Sequence, residues 1–306
     1  MTEDGHLATL PGELPPGVIN NNPIVVEVNN LTKVFFGPDG SRRVAVSEVS
    51  FALRKGETVG IVGESGSGKT TLTRMVLGLE TPNVGNVRLR DQVWSELSDA
   101  QQRAERKRIQ VVFQDPLSSF DPRYTVERVL FEALGVAGYT DTEKTRARAI
   151  ELLHLVRLDQ SYLQRRPIEL SGGQRQRIAI ARALAPEPEV LICDEPVSAL
   201  DVSVQAQILD LLIDLKDRLG LSCLFISHDL GVIYRVSDRI LVMKDGIVVE
   251  SGGVREVFEN PQHIYTQTLL SAIPQLGVRK SVTESTDIGS GESAKESDKE
   301  GELNAA

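Results

Sequence analysis

The sequence predicts an α/β fold with a mainly parallel core sheet, an antiparallel β subdomain and an inserted helical subdomain. Three observations carry this. Short apolar runs alternate with stretches whose apolar residues recur at helical spacing, the pattern of strands connected by helices. Near the N-terminus several short runs follow one another across tight turns, without helices between them. Between about residues 127 and 165 the apolar positions change to helical intervals among charges, which interrupts the α/β alternation.

In chain order, residues 1–22 are rich in Pro, Gly and Asn and read as a flexible lead-in. IVVEV from Ile24, VAVSEVSFAL over 44–53 and TVGIVG over 58–63 read as strands. Gly-Pro-Asp-Gly and Arg-Lys-Gly-Glu mark the turns between them. After Gly68, Leu72, Met75, Val76 and Leu79 follow helical spacing, with an end near Gly78. IQVVF at 109–113 is the next strand. Val129, Leu130, Leu134, Ile150, Leu153 and Leu158 mark the helical subdomain, assigned to about residues 115–170. A helix over Gln174 to Leu184 precedes strand Val190–Cys193. Val204, Ile208, Leu211, Leu212 and Leu215 then share one helical face. Strand Cys223–Ser227 follows, and Ile240–Met243 pairs with Ile247–Val249 across Asp245-Gly246. Residues 279–306 carry seven acidic and four basic side chains among Ser and Gly, and read as a disordered acidic tail.

Composition narrows the function classes. With 306 residues and 41% hydrophobic content the chain can build a substantial core. A net charge of −9 argues against a general nucleic-acid binder. Cys193 and Cys223 lie in apolar runs and read as small core residues of a reducing compartment. No Cys/His spacing suits a metal. No apolar run reaches the roughly 20 residues that span a bilayer, and the N-terminus lacks the pattern of a signal peptide. The reading is a cytosolic chain whose membrane contact comes through a partner.

Gly63–Thr70, GESGSGKT, fits the phosphate-binding pattern G-x-x-x-x-G-K-[ST] between a strand and a helix. Gly63, Gly66, Ser67 and Gly68 let backbone N–H groups converge on phosphate oxygens, with Thr71 completing the turn into the helix. That helix aims its positive end at the anion. Lys69 can reach the β- and γ-phosphates, and Thr70 offers a hydroxyl to Mg²⁺. Alone the loop indicates a nucleoside triphosphate. Val190–Cys193 then delivers Asp194 and Glu195 to the carboxyl end of a strand, where α/β ligand sites lie. Asp194 is expected to partner Mg²⁺ directly or through water. Glu195 can orient the attacking water or accept its proton.

Between these motifs lies Leu170–Gln174, LSGGQ. The order of phosphate loop, LSGGQ and apolar strand ending in Asp-Glu resembles the ATP-binding cassette (ABC) family, over roughly residues 24–275. The assigned domain is 23–278, with a P-loop NTPase core and a C-terminal extension over about 251–278. The resemblance implies further roles. Gln114 in VVFQDP matches the glutamine that contacts Mg²⁺ or water and links the site to the helical subdomain. His228 matches the histidine that contacts the γ-phosphate. Phe35 matches the aromatic that stacks on adenine, although Phe36 is adjacent and a half-buried strand residue is the competing reading. Ser198–Asp201, SALD, matches a loop that meets the opposite subunit. Ser171, Gly172, Gly173, Gln174 and Asp201 are expected to serve a neighbour's ATP in trans.

DPLSSFDPR at 115–123, DEPVSALDVSVQAQIL at 194–209 and ENPQHIYTQTLLSAIP at 259–274 resemble the oligopeptide/dipeptide and nickel importer ATPases. That subfamily's His-Pro-Tyr-Thr run reads His263-Ile264-Tyr265-Thr266 here. The absence of any cysteine beyond Cys223 predicts no iron–sulfur centre. The resemblance implies an ATP-hydrolysing subunit with ATP and Mg²⁺ as cofactors. It would lie at the cytoplasmic face of the cell membrane. Its partners would be a second ATPase subunit (paralogue or self), two integral membrane permease subunits and, indirectly, an extracytoplasmic solute-binding protein. Peptide is the expected cargo. Nickel or another small solute is the alternative; an exporter ATPase is the nearest rival within the family, and a non-transport ABC ATPase is the more distant one.

Overall fold

The computed structural model describes residues 22–272. The expectations for the lead-in, apart from its last residue, and for the acidic tail lie outside them. The first strands are β1 (Ile24–Phe36), β2 (Arg42–Arg54) and β3 (Thr58–Val62), followed by helix α1 (Lys69–Val76). Next come β4 (Val84–Leu89), β5 (Gln92–Val93), α2 (Asp99–Glu105) and β6 (Ile109–Val112). Helices α3 (Val126–Val136) and α4 (Thr142–Leu155) lead to α5 (Gly172–Leu184). Then follow β7 (Val190–Asp194), α6 (Val202–Leu219), β8 (Ser222–Ile226) and α7 (Leu230–Val236). The hairpin β9 (Arg239–Lys244) and β10 (Ile247–Gly253) precedes α8 (Val254–Glu259) and α9 (Ile264–Ser271).

The strands form two sheets. A four-stranded antiparallel sheet has the order β2-β1-β4-β5, and a six-stranded sheet has the order β10-β9-β3-β8-β7-β6. Within the second sheet β9, β3, β8, β7 and β6 are parallel, and β10 is an antiparallel edge. Strand β1 continues well past the expected IVVEV because bulges around Val28–Val34 absorb its irregular register with β2. That continuation carries Phe35 opposite Arg43.

The parallel strands are buried on both faces, as crossover helices require. Successive residues therefore enter different cores. Val190 and Ile192 join Leu72, Met75 and Val76 of α1 and the inner face of the antiparallel sheet. Leu191 and Cys193 join α3, α4, α5 and α6. Cys223 lies in the same helical core, and both thiols are free. Burial raises both, Cys223 to about 12, so neither is a ready thiolate. Among the described residues no helix is long and apolar enough to cross a membrane.

Candidate nucleotide site

Parallel strands bring the sequence motifs to one edge. The carboxyl ends of the neighbouring strands β3, β8 and β7 lead into Gly63, His228 and Asp194–Glu195, and β6 leads into Gln114 one strand further. Cross-strand hydrogen bonds fix this edge: Glu195 N–H donates to Ile226 O at 3.0 Å, and Ser227 N–H donates to Ile61 O at 3.2 Å.

The loop between β3 and α1 wraps around Lys69. The ammonium is buried and donates to Gly63 O at 2.7 Å and Glu64 O at 2.8 Å. Burial lowers the Lys69 pKa, while Glu195, Asp194 and Glu64 oppose the shift. The group is a desolvated cation held by carbonyls, which phosphate oxygens could replace with stronger, charge-assisted bonds. Gly68 caps α1 with no side-chain hydrogen bond, so no side chain competes for the anion-binding end of the helix. Its φ of 103° is left-handed, and a Cβ there would collide with the Ala45 carbonyl. Gly66 is likewise left-handed, at 84°.

A cleft of about 160 Å³ opens over this loop, lined by Phe35, Arg43, Ala45, Gly66, Gly68 and Lys69–Thr71. Phe35 is 40% exposed with Lys33 Nζ 5.2 Å from its ring centre. Phe36 is 70% exposed and lies outside the lining. Arg43 was not singled out by sequence, since a lone arginine on a strand carries no motif. The register that pairs it with Phe35 is what brings it to the cleft. A wider cleft of about 530 Å³ includes Lys55, Arg90 and Glu189 in its lining. There Arg90 is already paired with Glu189 at 2.5 Å, and no phosphate loop faces it.

The acid pair is differentiated by its surroundings. Burial raises the pKa of Asp194, reinforced by the neighbouring Glu195 charge and opposed by Lys69. Glu195 has a left-handed backbone, φ 50°, which is costly for a residue with a side chain. Its Oε2 lies 3.1 Å from His228 Nδ1. A carboxylate can only accept, so Nδ1 carries the proton in this contact. Among the described residues no three His, Cys, Asp or Glu side chains cluster to hold a metal. The oxygen donors at this edge, the Asp194 carboxyl and the Thr70 hydroxyl, are of the kind that suits Mg²⁺, which keeps few protein ligands and takes phosphate oxygens. Thr70 and Gln114 are exposed at this edge.

The residues expected to act in trans do not line this chain's cleft. Ser171 caps α5: its Oγ accepts from Gln174 N–H at 3.3 Å, and Gln174 Oε1 accepts from Ser171 N–H at 3.0 Å. Gln174 also donates to the Tyr162 hydroxyl at 2.9 Å, so its side chain is engaged in orienting Ser171. Asp201 caps α6 by accepting from Val204 N–H at 3.0 Å, and such bonds lower its pKa. A Cβ on Gly173 would strike Val204 Cγ1, and one on Gly172 would meet Leu200 Cδ2 at 3.2 Å. The glycines thus allow the starts of α5 and α6 to pack together, a role the sequence pattern did not reveal. Helix α5 also grips the chain after β6. Gln176 donates to Phe113 O at 3.4 Å, and Arg182 donates to Ser119 O and Oγ, both at 2.9 Å.

Residues 46–198 match the family described as ABC transporter, and residues 249–301 match the oligopeptide/dipeptide transporter C-terminal region. The chain is 47% identical over 270 residues to the oligopeptide transport ATP-binding protein OppD of Mycobacterium tuberculosis. That alignment covers 86% of this chain and 44% of the relative, so the chain spans less than half of that protein's length. A Brucella abortus protein named for peptide import and ATP binding is 47% identical over 257 residues, covering 82% of this chain and 77% of the relative. Among solved structures, the dimeric ATP-binding cassette MJ0796 bound to ADP and Pi superposes with a TM-score of 0.69. It is 32% identical and covers 75% of this chain and 99% of that one. The cbiO1 subunit from Clostridium perfringens, described as part of the ABC transporter complex cbiONQ, gives 0.69 at 28% identity, covering 78% and 92%. The phosphate loop, acid pair and LSGGQ helix described above fall within or beside the matched spans, and the chain belongs to the ABC transporter family of ATP-binding cassettes.

Proposed function

We propose that this chain is the ATP-hydrolysing subunit of an importer for oligopeptides or dipeptides. The observation that carries the reading is the convergence of Lys69, Asp194, Glu195 and His228 at one sheet edge, with Glu195 in contact with His228. The C-terminal match over residues 249–301 and the names of the relatives support the peptide cargo.

Lys69 leaves its loop carbonyls for the β- and γ-phosphates of ATP, and the N-terminus of α1 adds its dipole. Thr70, Asp194 and Gln114 would hold Mg²⁺, which neutralises charge on the phosphates when bound. Phe35 stacks on the adenine. Glu195 orients the attacking water and accepts its proton. His228 holds Glu195 in place and reaches toward the γ-phosphate.

A second cassette, a paralogue or another copy, supplies its own counterparts of Ser171, Gly172, Gly173, Gln174 and Asp201 to this chain's nucleotide. ATP favours the closed pair because it binds that state more tightly. Hydrolysis reopens the pair, and Gln114 passes the change through the helical subdomain to two permease subunits. An extracytoplasmic solute-binding protein delivers the peptide, and the subunit sits peripherally at the cytoplasmic face of the membrane.

Glu195→Gln tests the chemistry. ATP binding should persist while turnover falls about 10²- to 10⁴-fold, the usual contribution of a positioned base. Turnover near wild type would remove Glu195 from that role. Cargo is tested by reconstituting the co-purified permease complex and measuring ATPase stimulation by a peptide-loaded binding protein. Stimulation by nickel or another small solute, with none by peptides, would overturn the peptide assignment.

A further inference from the structure

One contact ties the C-terminal extension to the phosphate loop. Tyr265 lies at the start of α9 and is 6% exposed. Its hydroxyl accepts a hydrogen bond from Glu64 N–H at 3.1 Å. Glu64 N–H and Gly63 C=O are the two ends of one peptide plane. The Gly63 carbonyl accepts from Lys69 Nζ at 2.7 Å. The plane that opens the phosphate loop is therefore held at one end by Lys69 and at the other by Tyr265.

The placement of Tyr265 is itself supported. Gln262 N–H and His263 N–H donate to the Glu250 carboxylate on β10, at 2.7 and 3.1 Å. His263 Nδ1 accepts from Tyr265 N–H at 3.1 Å, capping α9. Lys244 Nζ lies 4.9 Å from the centre of the Tyr265 ring. The end of β9 thus covers the ring, and Glu250 within β10 anchors the segment that leads into the helix.

We propose that Tyr265 is a positioning residue for the nucleotide site, so that the C-terminal extension is a working part of the phosphate loop. This rests on the reading of that loop as the ATP site. When Lys69 turns to the phosphates it releases the Gly63 carbonyl, and among the described residues Tyr265 is then the remaining hydrogen-bond partner of the Gly63–Glu64 plane. Without the hydroxyl the plane can rotate, and a carbonyl turned toward the phosphates repels them. A displacement of α9 by a bound partner would act on nucleotide affinity by the same route.

The test is Tyr265→Phe in the full chain, which keeps the ring and removes only the acceptor. MgATP affinity is measured together with the melting temperature of the nucleotide-free protein and amide exchange at Glu64. In the assembled transporter KM for ATP and kcat are measured separately. The expected result is a Kd and KM raised about 2- to 10-fold, the range of one neutral hydrogen bond. Exchange at Glu64 should quicken, while kcat and melting temperature change little. Unchanged affinity, KM and Glu64 exchange would overturn the proposal. So would an affinity loss that only tracks a fall in melting temperature. Lys69→Ala separates the two readings: if wild type and Lys69→Ala bind MgATP alike, the ATP site itself is misassigned and the Tyr265 proposal falls with it.

Discussion

Asp194 and Glu195 are adjacent acids with different surroundings, and the difference is testable. Asp194 is the buried one, and its pKa is raised by burial and by the Glu195 charge. A raised carboxyl pKa means that the folded state resists ionisation. The folded protein therefore loses stability as pH rises from the ordinary Asp value through the raised one. Asp194→Asn removes that penalty. The nucleotide-free variant should melt a few degrees higher than wild type near neutral pH. The advantage should vanish below the ordinary Asp range, where Asp194 is neutral in both folded and unfolded chains. Thermal melts across pH 3–8 check this, and an advantage independent of pH would contradict it. The same variant should lose Mg²⁺-dependent turnover, because it gives up the acid proposed to hold the ion. Such an exchange of stability for function is the ordinary cost of a site with like charges. The meeting of Lys69, Asp194 and Glu195 at one sheet edge was legible in sequence, because phosphate-loop spacing marks Lys69 and an apolar strand ending in two acids marks the pair. Arg43 and Tyr265 were not. Arg43 reaches the cleft only through strand register, and Tyr265 reaches the loop across about 200 residues of chain.

At the scale of elements, the parallel strands were legible because they are continuous apolar runs buried on both faces. β4 is not legible in the sequence, because Arg88, Asn86 and Gly85 break its apolar run, and its pairing with β1 supplies the order that its own sequence lacks. β1 extends beyond the IVVEV run that its sequence marks, since bulges rather than alternation carry it to Phe35. The LSGGQ glycines show how one motif can answer two demands. Gly173 is buried against Val204, and no side chain fits between α5 and α6. Gly173→Ala should destabilise the protein by about 1–3 kcal/mol, the usual range for overpacking. Val204→Ala in the same chain should recover much of the loss, as the two positions are in contact. Denaturant unfolding of the single and double variants measures the coupling, and additive effects would refute the contact.

At the scale of the whole molecule, we propose that a second cassette completes the site on one chain. The cleft gathers the phosphate loop, Phe35 and Arg43, while the capped starts of α5 and α6 lie outside its lining. Ser171 and Asp201 cap adjoining helices: Gly173 in the first turn of α5 lies against Val204 of α6, and Gly172 faces Leu200 just before α6. Ser171 and Asp201 are both exposed, and the shared-site proposal gives them a nucleotide bound to a second cassette. The sequence order of the motifs suggested this assembly by resemblance; periodicity and spacing could not, because no single-chain pattern encodes which subunit a residue serves. The most direct measurement is Ser171→Arg, assayed twice: for MgATP affinity of the isolated chain and for ATP turnover of the assembled transporter. Lys69→Ala is the reference that removes a ligand of the chain's own nucleotide. The account predicts isolated affinity near wild type for Ser171→Arg, with turnover of the assembly reduced by an order of magnitude or more, about the effect of one lost anion-binding contact in a transition state. Isolated affinity lost to the same degree as in Lys69→Ala, or turnover left unchanged in the assembly, would contradict it.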